Sequence, residues 1–212
     1  MPVQEPGTKP ARPVPYQPSA FVSSWTVSGT TIKVNISMTN SGAPATRSAH
    51  YAAYANAFRG GGPWQYTVDP ATTTTDFFNV GSGYGDGRYD LTVVGPNRFL
   101  RRFTGNAATA AGRAVEATTR IAAKTGSTTP ALWFDLANSS GSSVTFTITS
   151  NHYRDDGPWT YTVPSGSTRS DYFDAVTNQD GWYDFTVTVS SDATWSRRVV
   201  GHVETGQPSI TG

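Results

Sequence analysis

The chain has 212 residues, of which 36% are hydrophobic and only 15% charged, with a formal net charge of +1 and a pI near 8.0. This charge provides no basic stripe for nucleic acid, so no nucleic-acid partner is expected. The lack of cysteine excludes disulfides, thiol nucleophiles and cysteine-based zinc sites, and no run of about 18 apolar residues is available for a transmembrane helix.

The leader, residues 1–18, carries proline at positions 2, 6, 10, 13, 15 and 18 and lacks the apolar stretch of a signal peptide. It reads as a stiff, polyproline-like linker that something larger precedes. Strand-like segments follow at roughly ten-residue spacing: Phe21–Val27, Thr31–Met38, Ser48–Ala57, Trp64–Val68, Thr74–Phe78, Tyr89–Val94 and Phe99–Phe103. Ile32, Val34 and Ile36 alternate with the period of two of a half-buried strand, as do Val144, Phe146 and Ile148. Ser48–Ala57 is Ala-rich and open to a helical reading, but its counterpart Val144–Ser150 favours strand. Gly60–Pro63 and Gly81–Gly85 read as hairpin connections, since neither opens a helix.

The chain then repeats itself. Gly62-Pro63-Trp64-Gln65-Tyr66-Thr67-Val68 recurs 95 positions later as Gly157-Pro158-Trp159-Thr160-Tyr161-Thr162-Val163. Asp86-Gly87-Arg88-Tyr89-Asp90 recurs as Asp180-Gly181-Trp182-Tyr183-Asp184, and Arg101-Arg102-Phe103-Thr104-Gly105 as Arg197-Arg198-Val199-Val200-Gly201. The expected organisation is a linker over 1–18, a first repeat over 19–106, an Ala-rich connector over 107–112, a second repeat over 113–204 and a tail over 205–212. The expected fold is all-β: two tandem immunoglobulin-like β-sandwich domains of about seven strands each.

The repeated residues read first as structural. Trp64 and Tyr66, like Trp159 and Tyr161, share one strand face and suit a core pair; the alternative is an exposed pair that docks a sugar or a lipid headgroup. Tyr89 and Tyr183 stand where a tyrosine hydrogen-bonds the corner before a late strand. Of each arginine pair, one member is expected to meet the preceding aspartate, Asp90 or Asp184, leaving Arg102 or Arg198 and its neighbour on opposite faces, one of them solvent-facing. An exposed member is a candidate for phosphate.

The catalytic inventory is thin. His50, His152 and His202 are scattered, and no Gly-x-Ser-x-Gly elbow, His-x-x-x-His pair or phosphate-binding loop is present. Asp155-Asp156 and Asp86/Asp90 lack the dense acidic spacing of a calcium loop and read as solvated turn carboxylates. No catalytic residue, metal site or cofactor is expected.

The segment Tyr89-Asp90-Leu91-Thr92-Val93-Val94-Gly95-Pro96-Asn97-Arg98-Phe99-Leu100-Arg101-Arg102-Phe103 resembles the Tyr-Asp-Leu-x-Val-x-Gly-Pro-Asn-Gly-Phe-Leu-Arg-Arg-Phe signature of the C-terminal repeat domain of bacterial phosphocholine-specific phospholipases C. The leader from Gln4 to Pro13 is similar to that family's interdomain linker. Arg98 replaces the usual glycine, and the second copy reads Val189-Ser190-Ser191-Asp192-Ala193-Thr194-Trp195 where the first has Gly-Pro-Asn.

The resemblance implies a secreted parent whose N-terminal hydrolase domain cleaves phosphatidylcholine or sphingomyelin and holds all the catalytic machinery. That domain would be this chain's partner, together with a phosphatidylcholine-containing membrane surface. Trp182, Trp195, Phe99 and Leu100 are the expected lipid-contacting tips, with Arg98, Arg101 and Arg197 nearby for phosphates. The competing readings are a scaffold that packs on the catalytic domain and a carbohydrate- or protein-binding sandwich.

Overall fold

The computed structural model describes residues 9–211, so the part of the linker reading that concerns residues 1–8 lies outside the described residues. From residue 10 onward the leader belongs to the fold. Strand β1 (Pro10–Ala11) pairs with β16 (Ser209–Ile210), which ties the leader to the tail. The Pro15 carbonyl accepts from the Thr46 and Arg47 amides at 3.1 and 3.2 Å, and Tyr16 packs on the first core.

The first repeat contains β2 (Pro18–Ser28), β3 (Thr31–Asn40), β4 (Ala49–Ala57), β5 (Trp64–Val68), β6 (Thr72–Asn79), β7 (Arg88–Val94) and β8 (Leu100–Asn106). A single helical turn, α1 (Ala110–Arg113), leads into β9 (Val115–Ala123), β10 (Pro130–Asn138), β11 (Val144–His152), β12 (Trp159–Val163) and β13 (Ser167–Phe173). A second turn, α2 (Ala175–Asn178), precedes β14 (Trp182–Val189) and β15 (Asp192–His202). Each repeat is a seven-stranded sandwich in which a three-stranded sheet, β2-β3-β6 or β9-β10-β13, faces a four-stranded one. The Ala-rich segment is strand β4: its alternate residues Ala49, Tyr51 and Ala53 enter the core, a burial that outweighs the helix propensity of alanine. Residues 81–87 connect β6 to β7, which lie in different sheets, so this glycine-rich stretch is a crossover and not a hairpin.

The two four-stranded sheets are continuous. β8 pairs antiparallel with β15, giving one sheet in the order β12-β11-β14-β15-β8-β7-β4-β5. In this register Arg102 lies opposite Arg198, its own counterpart, so each repeat offers the other the same edge. Joining the last strands removes two exposed edges that would otherwise invite pairing with foreign chains.

Each sandwich keeps its own core. Val34, Ile36, Met38, Phe78, Leu91 and Val93 fill the first; Leu132, Phe134, Phe146, Phe173, Phe185 and Trp195 fill the second. Two buried asparagines staple the layers at equivalent places. Asn40 Nδ2 donates to the Arg47 and Val68 carbonyls at 2.7 and 3.2 Å, and Asn138 Nδ2 to those of Ser142 and Val163 at 2.8 and 2.9 Å.

Candidate functional site: the junction and an exposed aromatic end

The repeated Tyr-Asp and Arg-Arg-x-x-Gly residues meet at the β8–β15 junction. Strand alternation sends the second arginine outward, where it forks onto the aspartate of its own repeat. Arg102 Nε and Nη2 donate to Asp90 at 2.7 and 2.5 Å, and Arg198 Nε and Nη2 to Asp184 at 3.0 and 2.7 Å. Burial pushes the Asp90 carboxyl up, but the Arg102 and Asn56 hydrogen bonds outweigh it and hold the group below the usual carboxylate range. Asn56 and Asn151 are the extra residues of β-bulges in β4 and β11, and each donates to the aspartate of its repeat at 2.8 Å.

The first arginine points inward and crosses to the other repeat. Arg101 Nη2 donates to Tyr183 Oη at 2.9 Å and Nη1 to the Val200 carbonyl at 2.8 Å. Arg197 reciprocates, from Nη2 to Tyr89 Oη at 3.1 Å and from Nη1 to the Thr104 carbonyl at 2.8 Å. The motif glycines make room for the rings: a Cβ at Gly105 or Gly201 would stand 2.8 Å from the hydroxyl of Tyr89 or Tyr183. The tyrosines therefore do not bond the preceding corner, as the sequence suggested; they serve as inter-repeat acceptors.

This geometry corrects the lipid-contacting set. Arg101 and Arg197 are 3% and 1% exposed, and Trp182, Trp195 and Phe99 are 5%, 1% and 2% exposed. Trp195 stacks under the Arg197 guanidinium at 4.5 Å, Phe99 under that of Arg101 at 4.3 Å, and Trp182 Nε1 donates to the Ile210 carbonyl at 3.0 Å. Leu100 is half-buried in β8, and only Arg98 is exposed. The rings are buried because each covers an inward arginine or closes the tail, so none is an apolar tip. The Gly-Pro-Asn turn also has an inter-repeat task. Asn97 Nδ2 donates to Glu204 at 2.6 Å, and Arg98 lies over Trp182 at 5.6 Å.

Trp64 and Trp159 are half-buried and pack edge-on against Phe78 and Phe173, with Arg59 and Arg154 capping them at 4.7 and 5.0 Å. Tyr66 and Tyr161 donate to Asp76 and Asp171 at 2.7 and 2.8 Å; burial first, then those carboxylates, push both phenols up. Asp156 is engaged by Arg154 at 2.6 Å, and among the described residues no three His, Asp or Glu side chains come together as a metal site.

The exposed apolar side chains lie elsewhere. Phe58 and Tyr84, 42% and 43% exposed, project from the β4–β5 and β6–β7 connections at one end of the first repeat. Gly85 lets the two loops touch, since a Cβ there would meet Phe58 Cβ at 2.6 Å. Arg88 lies over the Phe58 ring at 4.7 Å and Arg59 over that of Tyr84 at 5.5 Å. The second repeat has no such end: Tyr153, at the place of Phe58, stacks towards Trp182, and Arg154 is held by Asp156. The left-handed φ of 71° at Phe58 recurs as 74° at Tyr153, so it belongs to the shared loop geometry.

Two sandwiches joined edge to edge, with their repeated charges turned on each other, define a tandem β-sandwich module. Two stretches of the chain, residues 10–106 and 113–202, match the family described as bacterial phospholipase C, C-terminal domain, and the chain belongs to that family. Over 211 residues it is 32% identical to a non-hemolytic phospholipase C of Burkholderia pseudomallei, covering 100% of this chain and 28% of the relative. It is 30% identical over 225 residues to a hemolytic phospholipase C of Pseudomonas aeruginosa, covering 99% of this chain and 30% of that protein. A non-hemolytic phospholipase C from the same organism is 27% identical over 211 residues. The chain thus spans under a third of the length of the curated relatives it matches.

Proposed function

We propose that this chain is the non-catalytic accessory region of an exported phospholipase C acting on phosphatidylcholine or sphingomyelin, and that it holds the enzyme at the membrane surface through the Phe58–Tyr84 end of its first repeat. One observation carries the reading. All five strongly exposed large apolar side chains among the described residues, Val27, Tyr54, Phe58, Phe77 and Tyr84, belong to the first repeat. Two of them share one end with Arg59 and Arg88. Aromatic rings favour the headgroup level of a bilayer, and neighbouring arginines suit lipid phosphates.

Co-sedimentation with phosphatidylcholine vesicles tests this reading. Replacing Phe58→Asn, which tolerates the left-handed backbone, together with Tyr84→Ser is expected to weaken binding about tenfold or more. Retention of most of the binding at high salt is expected, since the rings supply the contact. Unchanged binding of the double variant, or none by the parent chain, would overturn the assignment.

A second reading, a scaffold for the catalytic part, rests on Phe77, which is 48% exposed on the outer face of β6 beneath Lys33 Nζ at 3.9 Å. On that reading Phe77→Ser lowers the melting temperature of a polypeptide carrying the catalytic part and leaves vesicle binding unchanged.

A further inference from the structure

The two inward arginines share the pattern of carbonyl and tyrosine partners and a covering ring, but only one of them has a carboxylate. Arg197 has a carboxylate: its Nε and Nη2 fork onto Glu116 at 2.6 and 2.8 Å. Arg101 has the matching carbonyl and tyrosine contacts and one covering ring, without a counterpart to the Phe103 ring that Arg197 also meets at 5.6 Å, and its buried Nε donates to nothing. The strand registers give the reason. Glu116 lies opposite Ala137 on β9, and the residue in that position of the first repeat, opposite Thr39 on β2, is Ser19. A serine is too short to supply the missing carboxylate.

Ser19 and Arg101 both line a cleft of about 570 Å³ between the two three-stranded sheets, whose walls include Phe21, Ile121, Pro44 and Pro130. Other charged groups at the cleft are already engaged. Glu204 takes Asn97 at 2.6 Å and lies 3.1 Å from His202 Nδ1, while Arg120 pairs with Asp135 at 2.9 Å. The Tyr51 hydroxyl, within the influence of the Arg101 charge, donates to the Thr39 carbonyl at 2.6 Å. Among the described residues no carboxylate stands at ion-pair distance from Arg101.

We propose that this cleft is a binding site for a small amphipathic anion. Its carboxylate or phosphate head meets the Arg101 guanidinium, the counterpart of the group that Glu116 meets in the second repeat, and its apolar body lies along Phe21 and Ile121. The second repeat provides the template for the head, and the volume falls within the range of small-molecule sites, about 300–1,000 Å³. A guanidinium edge with two parallel donors is shaped for such a head.

The experiment follows the Arg101 Nε–H cross-peak in ¹H–¹⁵N spectra of the whole chain during titration with hexanoate and hexyl phosphate, and separately with acetate and inorganic phosphate. The expected result is a saturable shift with the hexyl probes at a Kd of about 1 mM or tighter, with at least tenfold weaker response to the short ones. The variant Ser19→Glu supplies the missing carboxylate from within. Its Arg101 peak should already be shifted and should no longer respond, while its vesicle binding through Phe58 and Tyr84 stays unchanged. A silent Arg101 peak with all four probes overturns the site, as does an equal response in the Ser19→Glu variant. Equal responses to short and hexyl probes overturn the apolar part. The parent titration stands without any variant, so a Ser19→Glu chain that fails to fold does not rescue the proposal.

Discussion

Replacing Glu116→Gln removes one negative charge from the junction and changes almost no volume. Arg197, 1% exposed, would keep its carbonyl and Tyr89 partners but would face an amide whose NH2 opposes a donor. Burial disfavours the charged guanidinium, but Glu116 and Tyr89 together outweigh this, so its pKa is raised and the group stays charged. Breaking a buried pair from one side costs about 3–5 kcal/mol. The Glu116 side chain is 14% exposed, which favours the lower end, about 3 kcal/mol. For a chain of this length that lowers the melting temperature by about 6–12 °C. Urea titration followed by tryptophan emission measures the loss. The companion double variant Glu116→Leu with Arg197→Met should lose less than about 1 kcal/mol, because no buried charge is left unpaired. A loss below about 1 kcal/mol for Glu116→Gln alone would refute the reasoning, because the pair would then be behaving as a solvent-screened surface contact.

Further outcomes follow from the same geometry. Asp90→Asn should cost about 1 kcal/mol by urea titration, a modest loss because Arg102 is 46% exposed, although it also leaves Arg102 facing Arg198 with less neutralisation. Gly181→Ala should cost at least about 2 kcal/mol on a thermal melt, since φ is 92° and the new Cβ would stand 2.4 Å from His202 Nε2. Trp195→Ala should cost about 3–5 kcal/mol through the cavity it leaves, and the folded fraction should bind vesicles as the parent does. Stability should also fall in acid. The Asp90 and Asp174 carboxyls are held below their ordinary 3.8, so their contribution is present above that value and lost as pH drops through the lower folded values; a pH series of melts reads this. Tyr66 and Tyr161 are raised above 10.0, so their contribution is present below that value and lost as pH climbs through the higher folded values.

The strands were legible because one buried face imposes a period of two: Ile32, Val34 and Ile36 are 8%, 0% and 0% exposed, in step with their spacing. The tandem organisation was legible because blocks recur at nearly one offset, 94 to 96, and Asn56 with Asn151 falls at 95 too. Weighing polar repeats as heavily as aromatic ones would have exposed these bulge residues, and Asn40 with Asn138 likewise. The direction of Arg101 and Arg197 was not legible. Alternation puts neighbouring arginines on opposite faces but does not say that the inward one finds a tyrosine of the other repeat. That depends on the pairing of β8 with β15, contacts almost a hundred residues apart in the chain. Trp182 and Trp195 misled for a related reason. Trp182 stands where the first repeat has Arg88 and its ring closes on the tail, whereas Trp195 stands at the place of Phe99 and, like it, covers an inward arginine. Phe58 and Tyr84 looked like ordinary loop residues because only folding brings their two connections together at Gly85.

The most direct measurement of the proposed role is hydrogen–deuterium exchange of the whole chain with and without phosphatidylcholine vesicles. Slowed exchange is expected only in the connections at residues 58–62 and 81–87, with β8 and β15 slow in both states because they are already paired. Protection absent from those two connections, or centred instead on the segments around Trp182 and Trp195, would contradict that role.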